Sequence, residues 1–382
     1  MIDPAHLPEP SAAHLAPSGR PHSAPSGRHR RRRARTVTAL GALLALVALL
    51  AAACGSDDRG DSGTAPDGSD GSSTAAVTQK VTLVLDWTPN TNHSGFYLAQ
   101  QRGYYRDAGL DVEIVEPGQA GGPDGLQQMA AGNAQFAVSV AESLLPARAE
   151  GVPAVSVAAI IEHNTSSLVA PTDRGITRPR DLAGKTYGGF GGPLENALVE
   201  EMVSCDGGDP STVKFVEVGN VDYRAGFDQK AFDFVWVFDG WDVIRIRDID
   251  GTPLVTLPFI DSQCIPDWYT PLLATTEAQI KDHPDLVRAF VGATAKGFAD
   301  AMDDPAAAAD ALMTAAPESD RELVSRSAEY LAPRYASSPE SWGRQDAAVW
   351  STFATWLHDQ QILETPLDTA AAFTNDFLPT SR

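Results

Sequence analysis

Aromatic and carboxylate side chains gather where short apolar runs of this sequence end. The run VTLVLDW, Val81 to Trp87, closes on Asp86 and Trp87, and Asn90 and His93 follow on the next loop. An indole face stacks on a flat ring for about 1–3 kcal/mol. A carboxylate accepts from an amine, and an amide or imidazole can donate or accept. Each residue also has a plainer use: Trp87 in a core, Asp86 as a cap of the next turn, His93 as the N-terminal cap of a helix near Gly95. YGGFGGPLENA, Tyr187–Ala197, is a second such place, a loop between a strand and a helix. Its glycines let the backbone approach a ligand closely, and the helix start exposes unpaired N–H groups. A bare helix start suits an anion; Glu195 in the first turn opposes one and suits an amine, or else serves the helix dipole alone. FDFVWVFDGWD, Phe232–Asp242, is the third. Alternation puts Phe232, Phe234, Trp236 and Phe238 on one side and Val235, Val237 and Asp239 on the other. Buried parallel strands are apolar on both faces, so most of these are core, leaving Asp239 and Trp241 at the strand end as site candidates.

Catalytic patterns are missing from the sequence. It has no G-x-S-x-G, no H-E-x-x-H, and no full phosphate-cradling G-x-x-x-x-G-K-[ST], since Gly184-Lys185-Thr186 has Pro179 where the first glycine belongs, and the loop G-F-G-G-P-L lacks the third glycine of a dinucleotide fingerprint. The four histidines beyond residue 53 (His93, His163, His283 and His358) are too scattered for a metal set. The residues therefore indicate a binding site, with no catalytic residue, metal or cofactor.

The elements that carry these residues begin after a long leader. Residues 1–53 hold seven Arg against Asp3 and Glu9, so the segment is +5, while the chain as a whole is −21. The acidic remainder argues against nucleic-acid binding, which depends on clustered Lys and Arg. RHRRRRART, Arg28–Thr36, precedes 17 uncharged residues, Val37–Ala53, and then Cys54. A positive segment, a short apolar run and small residues before a break mark a secretory signal, and 17 residues is the lower limit for an uncleaved membrane anchor, the alternative. Either way the body lies outside the cytoplasm. Residues 54–79 follow, with Gly, Ser, Thr, Ala and five Asp. Such a composition forms a flexible tether, spanning roughly 24–29 Å. Beyond Cys54, Cys205 and Cys264 are the remaining cysteines; in an oxidising compartment they form a candidate disulfide, with two free thiols the alternative.

From Lys80 short β-rich runs alternate with amphipathic segments, which argues for parallel βαβ units in open sheets. Strands are expected at Val81–Trp87, Leu110–Pro117, Gln135–Val140 and Pro153–Ile161, with helices at Gly95–Arg102, Pro123–Ala131 and Glu142–Glu150. A second block reads as KTYGGF strand, Leu194–Cys205 helix, VKFVEV and FDFVWVF strands, Trp241–Arg247 helix and PLVTLPF strand. Extended runs at Ser166–Pro171 and Tyr269–Thr276 read as two hinge-crossing strands. The remainder is nearly all helical, with Pro284 opening a helix and Pro305 breaking one. The expected fold is α/β and two-lobed. Lobe 1 starts with 80–168, lobe 2 is 169–270, and 271–382 returns to lobe 1 and forms the C-terminal helices. A cleft opens at the carboxyl ends of the strands.

LDWTPNTNHSGFYLAQQRGYYRDAGLDVEIVEPG, Leu85–Gly118, resembles the opening of bacterial binding proteins for thiamine pyrimidine precursors. Those share a superfamily with the fungal hydroxymethylpyrimidine phosphate synthases and have the periplasmic binding protein type II fold. The resemblance runs on through GNAQFAVSVAESLLPARAEGVP, GITRPRDLAGKTYGG and PLLATTEAQIKDHPDLVRAFVGATAKGFADAM, covering 80–310. The signal likewise resembles that of a bacterial lipoprotein, in which Cys54 is lipidated, though Ala51 stands where Leu is usual. The family implies a monomeric, membrane-anchored receptor that hands its ligand to an ABC permease and its ATPase. The fungal enzymes add an iron-holding Cys cluster, a Lys that supplies pyridoxal phosphate and a catalytic His. Here the matching segment is QCIPDWYTP, with Cys264 its one sulfur, and Ser139 and Ser143 stand near the Lys and His. Those departures point away from the enzyme.

The ligand so implied is a hydroxymethyl-, aminomethyl- or formylaminopyrimidine, a flat ring edged with acceptors and an amine. Asp86, Trp87, Asn90, His93, Glu195, Asp239 and Trp241 are its candidate contacts. Trp268 and Tyr269, where the fungal Cys cluster stands, would close the aromatic box or else pack against the hinge. Riboflavin, a sulfonate or another aromatic compound is the alternative ligand.

Overall fold

A computed structural model describes residues 78–118 and 124–380. The expected signal segment, Cys54 and the tether up to residue 77 lie outside the described residues, as does Pro123. Among the described residues no helix is long and apolar enough to cross a membrane.

The first sheet begins with β1 (Gln79–Val84) and β2 (Leu110–Val115), parallel and in register from Gln79 opposite Leu110 to Val84 opposite Val115. β2 is an edge strand and alternates: Leu110 and Val112 are buried, Asp111 and Glu113 exposed. β3 (Phe136–Ser139) and β4 (Ala154–Ala159) are buried at every residue, as strands covered on both faces must be. Helices α1 (Ser94–Gln101), α2 (Tyr104–Asp107), α3 (Gly125–Ala130) and α4 (Ala141–Ala149) connect them. The second sheet contains β5 (Ser166–Pro171), β6 (Thr186–Gly189), β7 (Lys214–Glu217), β8 (Phe234–Phe238) and β9 (Leu254–Pro258). Its helices are α5 (Pro193–Cys205), α6 (Tyr223–Asp228) and a π-helix, Asp239–Ile249. β10 (Leu272–Thr276) then returns to the first sheet.

The strand orders are β2-β1-β3-β10-β4 and β7-β6-β8-β5-β9. β10 runs antiparallel to β3 and β4, and β5 antiparallel to β8 and β9. This is the two-lobed α/β architecture expected from the sequence, with the helical C-terminal region attached. The crossings themselves are the connections 160–165 and 259–271, and the expected crossing strands are the antiparallel members each crossing delivers. Three local expectations change. α6 stands where the sequence reading has no helix, because its six residues carry no clear apolar period. Phe232 precedes β8 and packs with Val235 and Val237, so alternation does not extend back to it. The helix expected at Trp241–Arg247 has π geometry and starts at Asp239.

The C-terminal helices are α7 (Glu277–Asp282), α8 (Pro284–Asp303), α9 (Pro305–Ala315), α10 (Arg321–Leu331) and α11 (Ala347–Asp359). Pro305 starts α9 where Asp304 caps the Ala307 N–H at 3.0 Å, so the chain must turn there. α8 packs on α1, and Phe136 and Phe290 stack with centroids 4.0 Å apart beneath them. Gly95 and Gly297 permit that approach: a Cβ on Gly95 would run into the Phe298 ring. α10 also touches the π-helix, and α11 lays Phe353 flat on Trp268 at 5.2 Å. Cys205, ending α5, is bonded to Cys264 in the second crossing, with Cα atoms 6.1 Å apart.

Candidate functional site

Between the lobes lies a cleft of ≈ 600 Å³, lined from the first lobe by Asp86, Trp87, Thr88, Asn90, Asn92 and Val140. β1 ends at Val84, so Asp86 and Trp87 emerge at its carboxyl end. Asn90 caps the following turn, accepting from the Asn92 N–H at 3.0 Å, while its own N–H donates to His93 Nδ1 at 3.2 Å. With Nδ1 an acceptor, Nε2 carries the proton and donates to Asp86 Oδ1 at 2.7 Å. His93 is fully buried, whereas the Asp86 side chain keeps 25% of its surface exposed. The loop therefore fixes one Asp86 oxygen from behind. Trp87 projects beside it, 49% exposed.

The second lobe supplies Phe190, Asn220, Val221, Asp222, Tyr223, Trp241, Asp242 and two arginines, Arg224 and Arg245. Phe190 is 51% exposed at the tip of the glycine loop. Gly191 has φ +84°, which only glycine adopts without strain. Glu195 lies behind that loop, accepting from the Phe190 N–H at 2.8 Å and the Gly191 N–H at 3.1 Å. Burial raises its carboxyl above the ordinary value, against the pull of those amides. Asp242 accepts from the Phe238 N–H at 3.0 Å; burial, and then neighbouring Asp239, push it up to about 6. Both arginines have carboxylate partners: Arg245 pairs with Asp320 at 2.7 Å and Asp250 at 3.7 Å, Arg224 with Asp228 at 4.0 Å. Asp86, Asp222, Asp242 and Asp250 thus face two cations already engaged, and the wall is acidic.

Asp86, Trp87, Asn90 and Trp241 are brought together on the cleft wall, as the sequence reading has them. The other candidates stand elsewhere. His93 does not line the cleft; it stands at the N-cap position of α1 without a side-chain capping bond, and its ring orients Asp86 instead. Glu195 shapes the loop. Asp239 is pushed up to about 6 by burial at the start of the π-helix, behind the wall. Trp268 and Tyr269, 1% and 4% exposed, are core residues of the second crossing. Tyr269 Oη accepts from the Asp346 N–H at 2.7 Å, and Trp268 stacks on Phe353. This is the hinge packing that their apolar setting suggests. Sequence reasoning passed over Phe190, Tyr223 and Asp242. A large apolar residue among loop glycines was the available signal for Phe190, and a carboxylate beyond the strand end was that for Asp242. Among the described residues no group of His, Cys, Asp and Glu could hold a metal ion.

A family model described as NMT1/THI5 like matches residues 90–308, more than half of the chain. The chain belongs to the NMT1/THI5-like family. Within the family's range of relatives, the formylaminopyrimidine-binding protein of Halalkalibacterium halodurans is 27% identical over 304 residues, 78% of this chain and 90% of that one. A 4-amino-5-hydroxymethyl-2-methylpyrimidine phosphate synthase of Legionella pneumophila is 23% identical over 306 residues, covering 80% and 94%. Among solved structures, the alkanesulfonate-binding protein of Xanthomonas axonopodis pv. citri superposes with a TM-score of 0.58 at 16% identity, over 77% of this chain and 98% of that one. At that identity the fold is what is shared, and it is the periplasmic binding protein type II fold.

Proposed function

We propose that this chain is the extracytoplasmic substrate-binding lipoprotein of an ABC importer, holding a thiamine-precursor pyrimidine between its lobes. One observation carries the reading: Trp87 and Phe190, 49% and 51% exposed, stand on opposite walls of one cleft, with the oriented Asp86 carboxylate beside the first. Two exposed rings lining one cleft form an apolar groove of the kind that marks a ligand site. Two faces and a carboxylate fit a flat ring that carries an amine. Closure about the crossings 160–165 and 259–271 would bring the rings onto both faces of the ligand, and the closed form would dock on a permease and its ATPase. Lipidation at Cys54 and a tether through residue 79 would hold a monomer near the membrane, and a disulfide suits that oxidising side.

Binding is favoured over catalysis because Ser139 and Ser143 occupy the positions near the Lys and His of the fungal enzymes, and neither can carry a Schiff base or move a proton near neutral pH. The acidic wall, with both arginines paired, speaks against a sulfonate. Calorimetry decides among ligands: titrate the receptor with 4-amino-5-hydroxymethyl-2-methylpyrimidine, formylaminopyrimidine, riboflavin and an alkanesulfonate. Saturable heat with the pyrimidines is expected. Heat with riboflavin or the sulfonate alone would transfer the same transport role to that ligand.

A further inference from the structure

One of the two cleft arginines is held by a residue that does not itself line the cleft. Arg245 stands on the π-helix of the second lobe, among the lining residues. Its Nη1 donates to Asp320 Oδ2 at 2.7 Å. Asp320 precedes α10, whose Val324, Ala328 and Leu331 belong to the core of the first lobe with Leu83 and Phe96. The pair therefore crosses from lobe to lobe. The two carboxylate oxygens of Asp320 have separate tasks. Oδ1 caps α10, accepting from the Glu322 N–H at 2.9 Å and the Leu323 N–H at 3.3 Å, which leaves Oδ2 for the guanidinium. The cap fixes where that second oxygen stands. Arg245 Nε lies 3.7 Å from Asp250 Oδ1, a looser contact within its own lobe. Arg245 and Asp320 are both partly exposed, and such a pair adds little to stability. It does set the direction of a guanidinium, whose planar fork matches phosphate.

We propose that Asp320 determines the charge class of the ligand. By holding Arg245 from outside the cleft, it admits the free pyrimidine and rejects the same pyrimidine carrying a phosphate monoester. The proposal rests on the pyrimidine reading above and deepens it. A phosphate that enters must draw Arg245 away from a preset carboxylate and lie among Asp222, Asp242 and Asp250. A neutral ligand with an amine meets no such competition. Arg224 pairs with Asp228 of its own helix at 4.0 Å, so Arg245 is the cleft arginine that the opposite lobe controls.

The test is calorimetry with two probes, 4-amino-5-hydroxymethyl-2-methylpyrimidine and its phosphate monoester. The proteins are the wild type, Asp320→Asn, and Asp320→Asn combined with Arg245→Gln. Asparagine keeps the capping oxygen and puts an NH2 group, which cannot accept, where Oδ2 stood; α10 retains its cap and Arg245 is released. Should that variant not fold, Asp320→Ser, also a strong cap, takes its place. The wild type should bind the ester about tenfold or more weakly than the alcohol. Asp320→Asn should narrow that gap about tenfold, the effect of one charge-assisted hydrogen bond, by tightening the ester. Adding Arg245→Gln should restore the gap. An unchanged gap in the folded variant, a narrowed one that survives Arg245→Gln, or a wild type that binds the ester at least as tightly as the alcohol would each overturn the role of Asp320 and leave the pyrimidine reading intact. No binding of either probe to the wild type would overturn both.

Discussion

Replacing Trp87 tests the stacking geometry most directly. The ring follows β1 at its carboxyl end and is 49% exposed in the open cleft, so Trp87→Ala removes a surface and leaves no core cavity. Exposed substitutions of that kind move stability by about 0.5 kcal/mol or less. A stacked base is worth about 1–3 kcal/mol, which is roughly 5- to 150-fold in Kd at about 1.4 kcal/mol per tenfold. Calorimetry with 4-amino-5-hydroxymethyl-2-methylpyrimidine should therefore show weakening in that range with an unchanged melting temperature. Phe190→Ala supplies the second arm, because Phe190 is exposed on the facing wall. A ligand gripped on both faces loses affinity in each single variant, and more in the double. If Trp87→Ala binds within twofold of the wild type while remaining folded, the ring is a bystander and the two-plate reading fails.

Three further outcomes follow from the structure. Asp239 and Asp242 ordinarily titrate near 3.8 and are held up to about 6 by burial, so the folded state binds their protons more tightly than the unfolded chain. Their contribution to stability therefore declines as pH rises from about 4 through about 6 and is flat above; Asp242→Asn, fixed neutral, should gain on the wild type by on the order of 2 kcal/mol across that window in urea melts, and a pH-independent difference would refute this. Reducing the Cys205–Cys264 bond, which closes a separation of 59 residues, should lower stability by about 4 kcal/mol in the chain-entropy account; identical urea midpoints with and without reductant would contradict it. Ser327→Ala should cost about 1–3 kcal/mol, because Ser327 Oγ donates to the Gly240 carbonyl and receives Thr91 Oγ1 in a buried chain; an unaltered melt would show that the chain is not maintained in solution.

Much of the fold was legible because strand burial and sequence period coincide. β4 and β5 are buried at every residue, and Pro284 opens α8 as expected while Pro305 falls where that helix breaks off. The site was legible where chemistry sits at a strand end, as at Asp86 and Trp87. It was not legible where a side chain's direction depends on a partner far away in the chain. Trp268 and Tyr269 have the right type and the right neighbourhood, yet Phe353 and Asp346 draw them into the core. Glu195 points at its own loop because two amides there lack other partners. Phe190 is the converse: that cinched loop turns an apolar residue outward.

The two walls of the cleft are not independent pieces. Tyr335 Oη donates to the Thr91 carbonyl at 2.6 Å, fixing the turn that carries Asn90 and His93. Thr91 Oγ1 donates to Ser327 on α10, and Ser327 donates to Gly240 in the π-helix that carries Trp241 and Asp242. One C-terminal helix therefore touches a cleft-lining segment of each lobe, and the Arg245–Asp320 pair ties its N-cap to the same π-helix. A π-helix is an uncommon geometry that recurs at functional sites. Here the π-helix sets Asp242 into the wall and Asp239 behind it, so of these two carboxylates one faces the cleft. The acidity of the chain is thus given a location. Asp86 and Asp242 face the cleft from opposite lobes, each held from behind by its own hydrogen bond, His93 for one and the Phe238 amide for the other. An amine placed between them meets acceptors that are already oriented, and an anion meets arginines that are already taken.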